Sequence, residues 1–161
     1  MAAQHSQQSR RPWMYWLIGG LISLVVGVWV LLKLRNDPTR VIKRTFRRAG
    51  LSDKLAGWWT AIAKHETAGF TSRVYKDGNN LFGMKLPRGE TLAIGQLPYG
   101  ERQAIFRSIE DSAKDQVLFL TKRFHYPPDF TSLLDLIVYM KERGYFEDDL
   151  NNYFNAVKKW T

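Results

Sequence analysis

Apolar positions along this 161-residue chain form one unbroken block followed by several periodic stretches. The block is Trp13–Leu32, WMYWLIGGLISLVVGVWVLL, 20 residues without a charge. As a helix rising about 1.5 Å per residue it reaches about 30 Å, the thickness of a bilayer's hydrocarbon core. Trp13, Tyr15 and Trp16 at one end and Trp29 near the other fit an aromatic belt. A signal peptide has a shorter apolar core that ends at small residues, and Val28-Trp29-Val30 offers no such cleavage site, so the stretch reads as a retained anchor.

Beyond the anchor the periodicity is mostly helical. Asp37-Pro38 is a helix start signal, and Val41, Ile42, Thr45 and Phe46 give an apolar side to a segment that Gly50 ends. Ser52 caps a second helix carrying Leu55, Trp58, Trp59, Ile62 and Ala63, which places Glu66 at its end, beside Gly69, where the chain turns. Thr71 to Asn80 reads as a loop with a turn at Asp77-Gly78. Glu90–Ile94 and Arg102–Phe106 have strand character around Gly95, Pro98 and Gly100, which predicts a small β-hairpin. Ser108 caps a long helix in which Ile109, Ala113, Val117, Leu120 and Phe124 recur at helical spacing, and Pro127-Pro128 breaks it. Thr131 starts a helix through Arg143. Asp148 or Asp149 opens the last one, through Trp160, with Tyr153, Phe154 and Val157 on one face. The sum is an α+β fold, mainly helical, with a small hairpin lobe, preceded by one transmembrane helix. The expected divisions are a polar tail over 1–12, a transmembrane helix over 13–34, a basic juxtamembrane helix over 35–50 and a folded domain over 51–161.

Composition excludes disorder, since 45% of residues are hydrophobic and 14% aromatic. Cysteine is absent, which removes disulfide and thiolate chemistry. The net charge of +9 is concentrated just after the anchor, where Lys33, Arg35, Arg40, Lys43, Arg44, Arg47 and Arg48 face Asp37 alone. Such a segment, 33–48, suits anionic lipid or another polyanion. No helix-turn-helix signature accompanies it, so specific nucleic-acid recognition is not expected.

The candidate chemistry lies in Ala61–Lys85. A carboxyl at the end of an apolar helix, like that of Glu66, is half desolvated; burial without a cationic partner raises its pKa and makes it a proton donor near neutral pH, which glycosidic cleavage requires. Thirteen residues later comes NNLFGMK, in which the amides of Asn79 and Asn80 can bond backbone or sugar and Leu81-Phe82 can bury itself under the carboxylate. Trp58 and Trp59 read as core residues, with a sugar groove as the other reading. Glu90 and Glu101, on the presumed hairpin wall, are the candidates for a second carboxylate. His65 beside Glu66 lacks a second histidine at i+4, and His5 and His125 are remote, so neither a metal nor a cofactor is expected.

HETAGFTS followed by NNLFGMK resembles the Glu-containing helix end and Asn-Asn-Leu-Phe-Gly block of the glucosaminidase family of peptidoglycan hydrolases, glycoside hydrolase family 73, whose fold is lysozyme-like. The resemblance covers roughly residues 49–160 and takes in AIFRSIEDSAKDQVLFL and GYFEDD. Where the family has Gly-Tyr-Ala-Thr-Asp, Tyr145 falls on its active-site tyrosine, while Phe146 and Glu147 depart from the pattern. Near Glu66 the family often has Glu-Ser-Gly-Trp-Gly, and this chain has Glu66-Thr67-Ala68-Gly69-Phe70.

The resemblance implies a membrane-anchored hydrolase of the β-1,4 bonds of peptidoglycan glycan strands, endo-β-N-acetylglucosaminidase-like, acting in wall remodelling or phage entry. Glu66 would be the acid, Tyr145 would position substrate or stabilise charge, and Asn79, Asn80, Phe82 and Trp59 would contact sugar. The second group would be Glu90 or Glu101, or the substrate's own 2-acetamido group, or a lytic transglycosylase-like ring closure would replace it. The other class of function is a catalytically inactive, anchored structural or glycan-binding protein of the same fold, a virion component included; the altered GYFEDD block motivates it. Only Arg10 and Arg11 precede the anchor, so the positive-inside rule places the domain in the cytoplasm, whereas a wall hydrolase must face the wall or periplasm. The outward orientation is the one expected here, since charge on a folded helix is not loop charge and a virion membrane would set orientation differently.

Overall fold

The computed structural model describes residues 21, 23–32, 36–86, 89–123 and 130–161. It contains two compact units, Met1–Arg35 and Asn36–Thr161. In the first, residues 21 and 23–32 are helical with exposed side chains, Leu24, Trp29 and Leu31 among them. Among the described residues no helix is long and apolar enough to cross a membrane. Residues 13–20, 22 and 33–34 of the expected anchor, and the expected tail 1–12, lie outside the described residues.

The second unit starts with α1 (Pro38–Arg48), whose N-cap Asp37 accepts a bond from the Arg40 N–H and whose first position is the proline that tolerates a missing donor there. Its buried side is Val41, Ile42, Thr45 and Phe46, and it packs against α2 (Asp53–Glu66) and α4 (Ile109–Arg123). At its end Leu51 N–H bonds Phe46 C=O at 3.1 Å and Gly50 N–H bonds Arg47 C=O at 2.9 Å, with Gly50 at φ 90°. This Schellman closure needs a left-handed residue, which glycine supplies without steric cost. Residues 38–48 of the basic segment are thus a wall of the folded core, built on its apolar side like any other helix.

Thr71 to Asn80 is not wholly a loop. Ser72 accepts from Tyr75 N–H and starts α3 (Arg73–Gly78), which ends where Asn79 turns left-handed at φ 51°. The expected hairpin is present but shifted. Its strands are β1 (Gly95–Gln96) and β2 (Ala104–Ile105), antiparallel, with Gly95 opposite Ile105 and Gln96 opposite Ala104. The buried carboxylate of Asp115 on α4 accepts from Thr91 Oγ1 and Leu92 N–H, which draws residues 91–92 to that helix, while Ile94 N–H still bonds Ile105 C=O on β2 at 2.8 Å. On the other side of β2, Ala104 N–H bonds Met84 C=O at 2.8 Å and Lys85 pairs with Gln103 as an isolated bridge. The last two helices are α5 (Leu133–Glu142), begun by a capping box between Ser132 and Asp135, and α6 (Leu150–Lys158), capped by Asp149. Helix α6 packs on α5 and α2. Phe124 and Pro127-Pro128, expected to end the long helix, lie outside the described residues, as does His125.

Candidate active site

Three helix ends meet at one cleft. Helix α2 stops at Glu66 through a Schellman closure in which Gly69 N–H bonds Lys64 C=O at 2.7 Å and Ala68 N–H bonds His65 C=O at 3.3 Å. The left-handed residues here are Ala68 (φ 49°), Gly69 (φ 68°) and Phe70 (φ 65°), two of them with a Cβ that disfavours that conformation. Buried Thr67 braces the turn: its Oγ1 donates to Ala63 C=O at 2.6 Å and accepts from Phe70 N–H at 3.1 Å. Gly69 lies under the indole of Trp160, so close that a Cβ would fall 2.9 Å from the ring.

The floor is the NNLFG loop, and Asn80 ties it. Fully buried, its amide donates to Met84 C=O (2.8 Å) and Ala104 C=O (3.1 Å) and accepts from Phe82 N–H (3.3 Å) and Met84 N–H (2.9 Å). Those bonds bend the chain so that Phe82 and Gly83 face Glu66. Gly83, at φ 60°, comes so close that a Cβ would stand 3.6 Å from Glu66 Oε2.

The far wall comes from α5 and α6. Gly144 (φ 69°) closes α5, with Tyr145 N–H on Met140 C=O at 3.0 Å and Gly144 N–H on Lys141 C=O at 2.9 Å, and this closure turns Tyr145 into the cleft. The Tyr145 hydroxyl accepts from Nε2 of buried Gln116 at 3.2 Å. Lys141 Nζ holds the next loop by its Glu147 and Asp148 carbonyls. From α6, Tyr153 Oη donates to Glu66 Oε1 at 2.6 Å. The Tyr153 ring is fixed on both faces of its pocket, edge-on to His65 at 4.9 Å and stacked on Phe146 at 3.8 Å with 4° between planes.

The cleft has a volume of about 840 Å³. Burial raises the Glu66 pKa above the ordinary 4.5, an effect that outweighs the opposing Tyr153 hydrogen bond and the charge of His65. Burial, and then the nearby Glu66 charge, pushes the Tyr145 and Tyr153 hydroxyls far above the ordinary tyrosine range, so both remain protonated. With Tyr153 donating to Oε1, the proton of the neutral acid resides on Oε2, the oxygen beside Gly83.

A family model described as mannosyl-glycoprotein endo-beta-N-acetylglucosaminidase matches residues 50–160. The chain belongs to the glucosaminidase family. No curated protein and no solved structure matches it.

Within this glucosaminidase domain the residues singled out from sequence separate into three groups. Glu66, Tyr145, Phe82 and Glu101 border the cleft. Glu101 is there as an exposed carboxylate ion-paired to Lys85, which holds its pKa below the ordinary value. Glu90 is exposed, paired with Lys122, and is not among the described residues that line the cleft. Asn79 and Asn80 serve backbone: Asn79 Nδ2 donates to Phe106 C=O at 3.0 Å, and Asn80 bonds backbone groups of its own loop and the Ala104 C=O of β2. For Asn80, buried with both donors and both acceptors taken, the backbone role replaces the sugar contact. Trp59 is likewise corrected: it is fully buried among Phe46, Phe82 and Tyr145, beneath the site instead of along a groove.

Sequence reasoning placed Tyr153 only on an apolar helix face. The signal that finds it is a buried phenol, which needs a partner, together with a buried carboxyl that needs a donor. Phe146 and Glu147 both line the cleft, with Phe146 supporting Tyr153.

Proposed function

We propose that the chain is a membrane-anchored glycosidase that cleaves β-1,4 bonds of peptidoglycan glycan strands, as an endo-β-N-acetylglucosaminidase, in wall remodelling or phage entry. The observation that carries this is the Glu66 carboxyl, desolvated at a helix end and held by the Tyr153 hydroxyl inside a cleft of about 840 Å³. Glu66 Oε2 gives its proton to the bridging oxygen as the sugar develops oxocarbenium character. Tyr153 is a positioning residue: it fixes the carboxyl rotamer and, once the proton has left, stabilises the carboxylate. Tyr145 sits where it can hold substrate or face developing charge, and Phe119 and Phe146 offer apolar surface to sugar rings, with Phe82 buried beneath them.

Among the described residues, Glu101, Glu147 and Asp148 are the other carboxylates on the cleft. None of them has the dry setting of Glu66, which favours a role as an ionised stabiliser, a 2-acetamido nucleophile from the substrate, or transglycosylation over a second proton donor.

The apolar stretch 13–32 supplies the anchor, and the domain faces the wall, the periplasm or its equivalent across a virion membrane. Supporting that side is the position of Arg40, Lys43, Arg44, Arg47 and Arg48 on a helix of the folded domain, where they are not juxtamembrane loop charge.

The test is to digest purified peptidoglycan with the full chain and weigh the fragments. New reducing-end N-acetylglucosamine is expected; reducing-end N-acetylmuramic acid or an anhydro sugar would reassign the bond or the route. A second reading, an anchored glycan-binding protein without turnover, draws on the solvent-exposed ion pairs of Glu101 and Glu90. Sacculus binding with no fragments released would establish it.

A further inference from the structure

Helix α1 carries a concentration of charge that glycan chemistry does not use. Opposite its buried side lie Arg40, Lys43, Arg44, Arg47 and Arg48, and these five cations line a concavity of about 370 Å³ with no carboxylate among its described lining residues. Compensation is partial. Arg44 pairs with Glu110 at 3.2 Å, but Glu110 is shared with Lys114 at 3.3 Å, and Arg47 pairs with Asp53 at the rim. Among the described residues no carboxylate forms an ion pair with Arg40, Lys43 or Arg48. The buried side of the helix is Val41, Ile42, Thr45 and Phe46, so the core does not require cations on the outer face, where they repel one another. A multivalent anion removes that repulsion.

The chain itself points to which anion. Only residues 33–37 separate the apolar stretch ending at Leu32 from α1, a reach of about 20 Å when fully extended, and Lys33 and Arg35 add the same sign. We propose that the α1 cation cradle docks on anionic phospholipid headgroups, taking their phosphates between Arg40, Lys43 and Arg48. This choice of anion rests on the anchor reading above. Docking would hold the cleft at a set height over the bilayer, so that the membrane-proximal glycan is the substrate within reach.

The test uses the full chain and vesicles of phosphatidylcholine alone or with one third phosphatidylglycerol. Each cation in contact adds about fivefold to partitioning onto the anionic surface at low salt. The wild-type chain should prefer the anionic vesicles, and high salt should erase the preference. Joint replacement Arg40→Gln, Lys43→Gln and Arg48→Gln should lower the preference about 100-fold. Arg40→Lys with Arg48→Lys should keep it, which separates charge from any loss of fold. Binding to neutral vesicles reports the anchor by itself: its absence, with the anionic preference intact, would defeat the anchor and leave the cradle standing. The proposal is overturned if the wild-type chain shows no anionic preference, or if the triple variant keeps it. It is also overturned if the variant loses heparin or duplex DNA while lipid composition makes no difference, which would make the cradle a site for a soluble polyanion.

Discussion

Glu66 and Glu101 border the same cleft and carry the same side chain, and the protein treats them in opposite ways. Glu66 ends an apolar helix, is wrapped by the NNLFG floor and by Tyr153, and is pushed toward its neutral form by desolvation. Glu101 stands on the hairpin lobe with its side chain 80% exposed, ion-paired to Lys85, and is held toward its charged form by that pair. Location in a cleft therefore does not assign a role; the dielectric around each oxygen does. Two carboxyls whose environments drive their pKa values apart can work at one pH as a donor and an ionised neighbour.

The comparison breaks first at Glu66. Glu66→Gln keeps the shape and the bond from Tyr153 but carries no transferable proton, and should lower fragment release from peptidoglycan about 1,000-fold. Stability should move the other way. A carboxyl whose folded pKa is raised is penalised as pH climbs from its unfolded value through its folded one, because the buried group must ionise. The melting temperature of Glu66→Gln should therefore match wild type in acid and exceed it by a gap that opens as pH climbs through the unfolded and folded pKa values of Glu66 and stays open above them. A gap that shrank with rising pH would contradict a dry Glu66.

Next is Tyr153→Phe. The hydroxyl favours the charged form of Glu66, so removing it raises the Glu66 pKa further. Activity should fall about 10-fold through lost positioning, while the alkaline limb of the kcat/KM profile, where the acid loses its proton, moves to higher pH. A purely structural tyrosine would lower activity without moving that limb.

A smaller effect is expected at the strained turn. Gly69→Ala would put a Cβ 2.9 Å from the Trp160 ring, at φ 68°, and should destabilise the domain by about 1–2 kcal/mol with a few-fold loss of activity. Trp160→Ala removes the clash but leaves the backbone strain, so the double variant should recover part of the loss, readable in a thermal double-mutant cycle.

The smallest effect belongs to Glu101→Gln. A solvent-exposed ion pair contributes little, so activity should stay within about twofold of wild type. A loss approaching that of Glu66→Gln would instead make Glu101 the second catalytic carboxylate.

Much of this was legible in the chain. The four buried positions of α1, the Ser52 cap, a cap at Asp148 or Asp149 and the placement of Glu66 at a helix end follow from helical periodicity and short polar residues with strong local preferences. What local pattern could not show depends on contacts far apart in sequence. Tyr153 meets Glu66 across 87 residues, and a period that marks a helix face as apolar does not say which hydroxyl on it will find a partner. Asn80 was expected at the sugar because amides bind sugars; in a tight loop the backbone is the nearer claimant and takes all of its capacity. The hairpin shifted because buried Asp115, a residue of a distant helix, took the donors of Thr91 and Leu92.

The most direct test of the central claim is a titration of the side-chain carboxyl carbons of Glu66 and Glu101 by nuclear magnetic resonance, in the full chain and without substrate. The Glu66 resonance should titrate above the ordinary glutamate value of 4.5 and the Glu101 resonance below it, with Tyr153→Phe moving only the former upward. Two carboxyls titrating together at the ordinary value would show Glu66 to be as wet as Glu101, and would contradict its assignment as the proton donor.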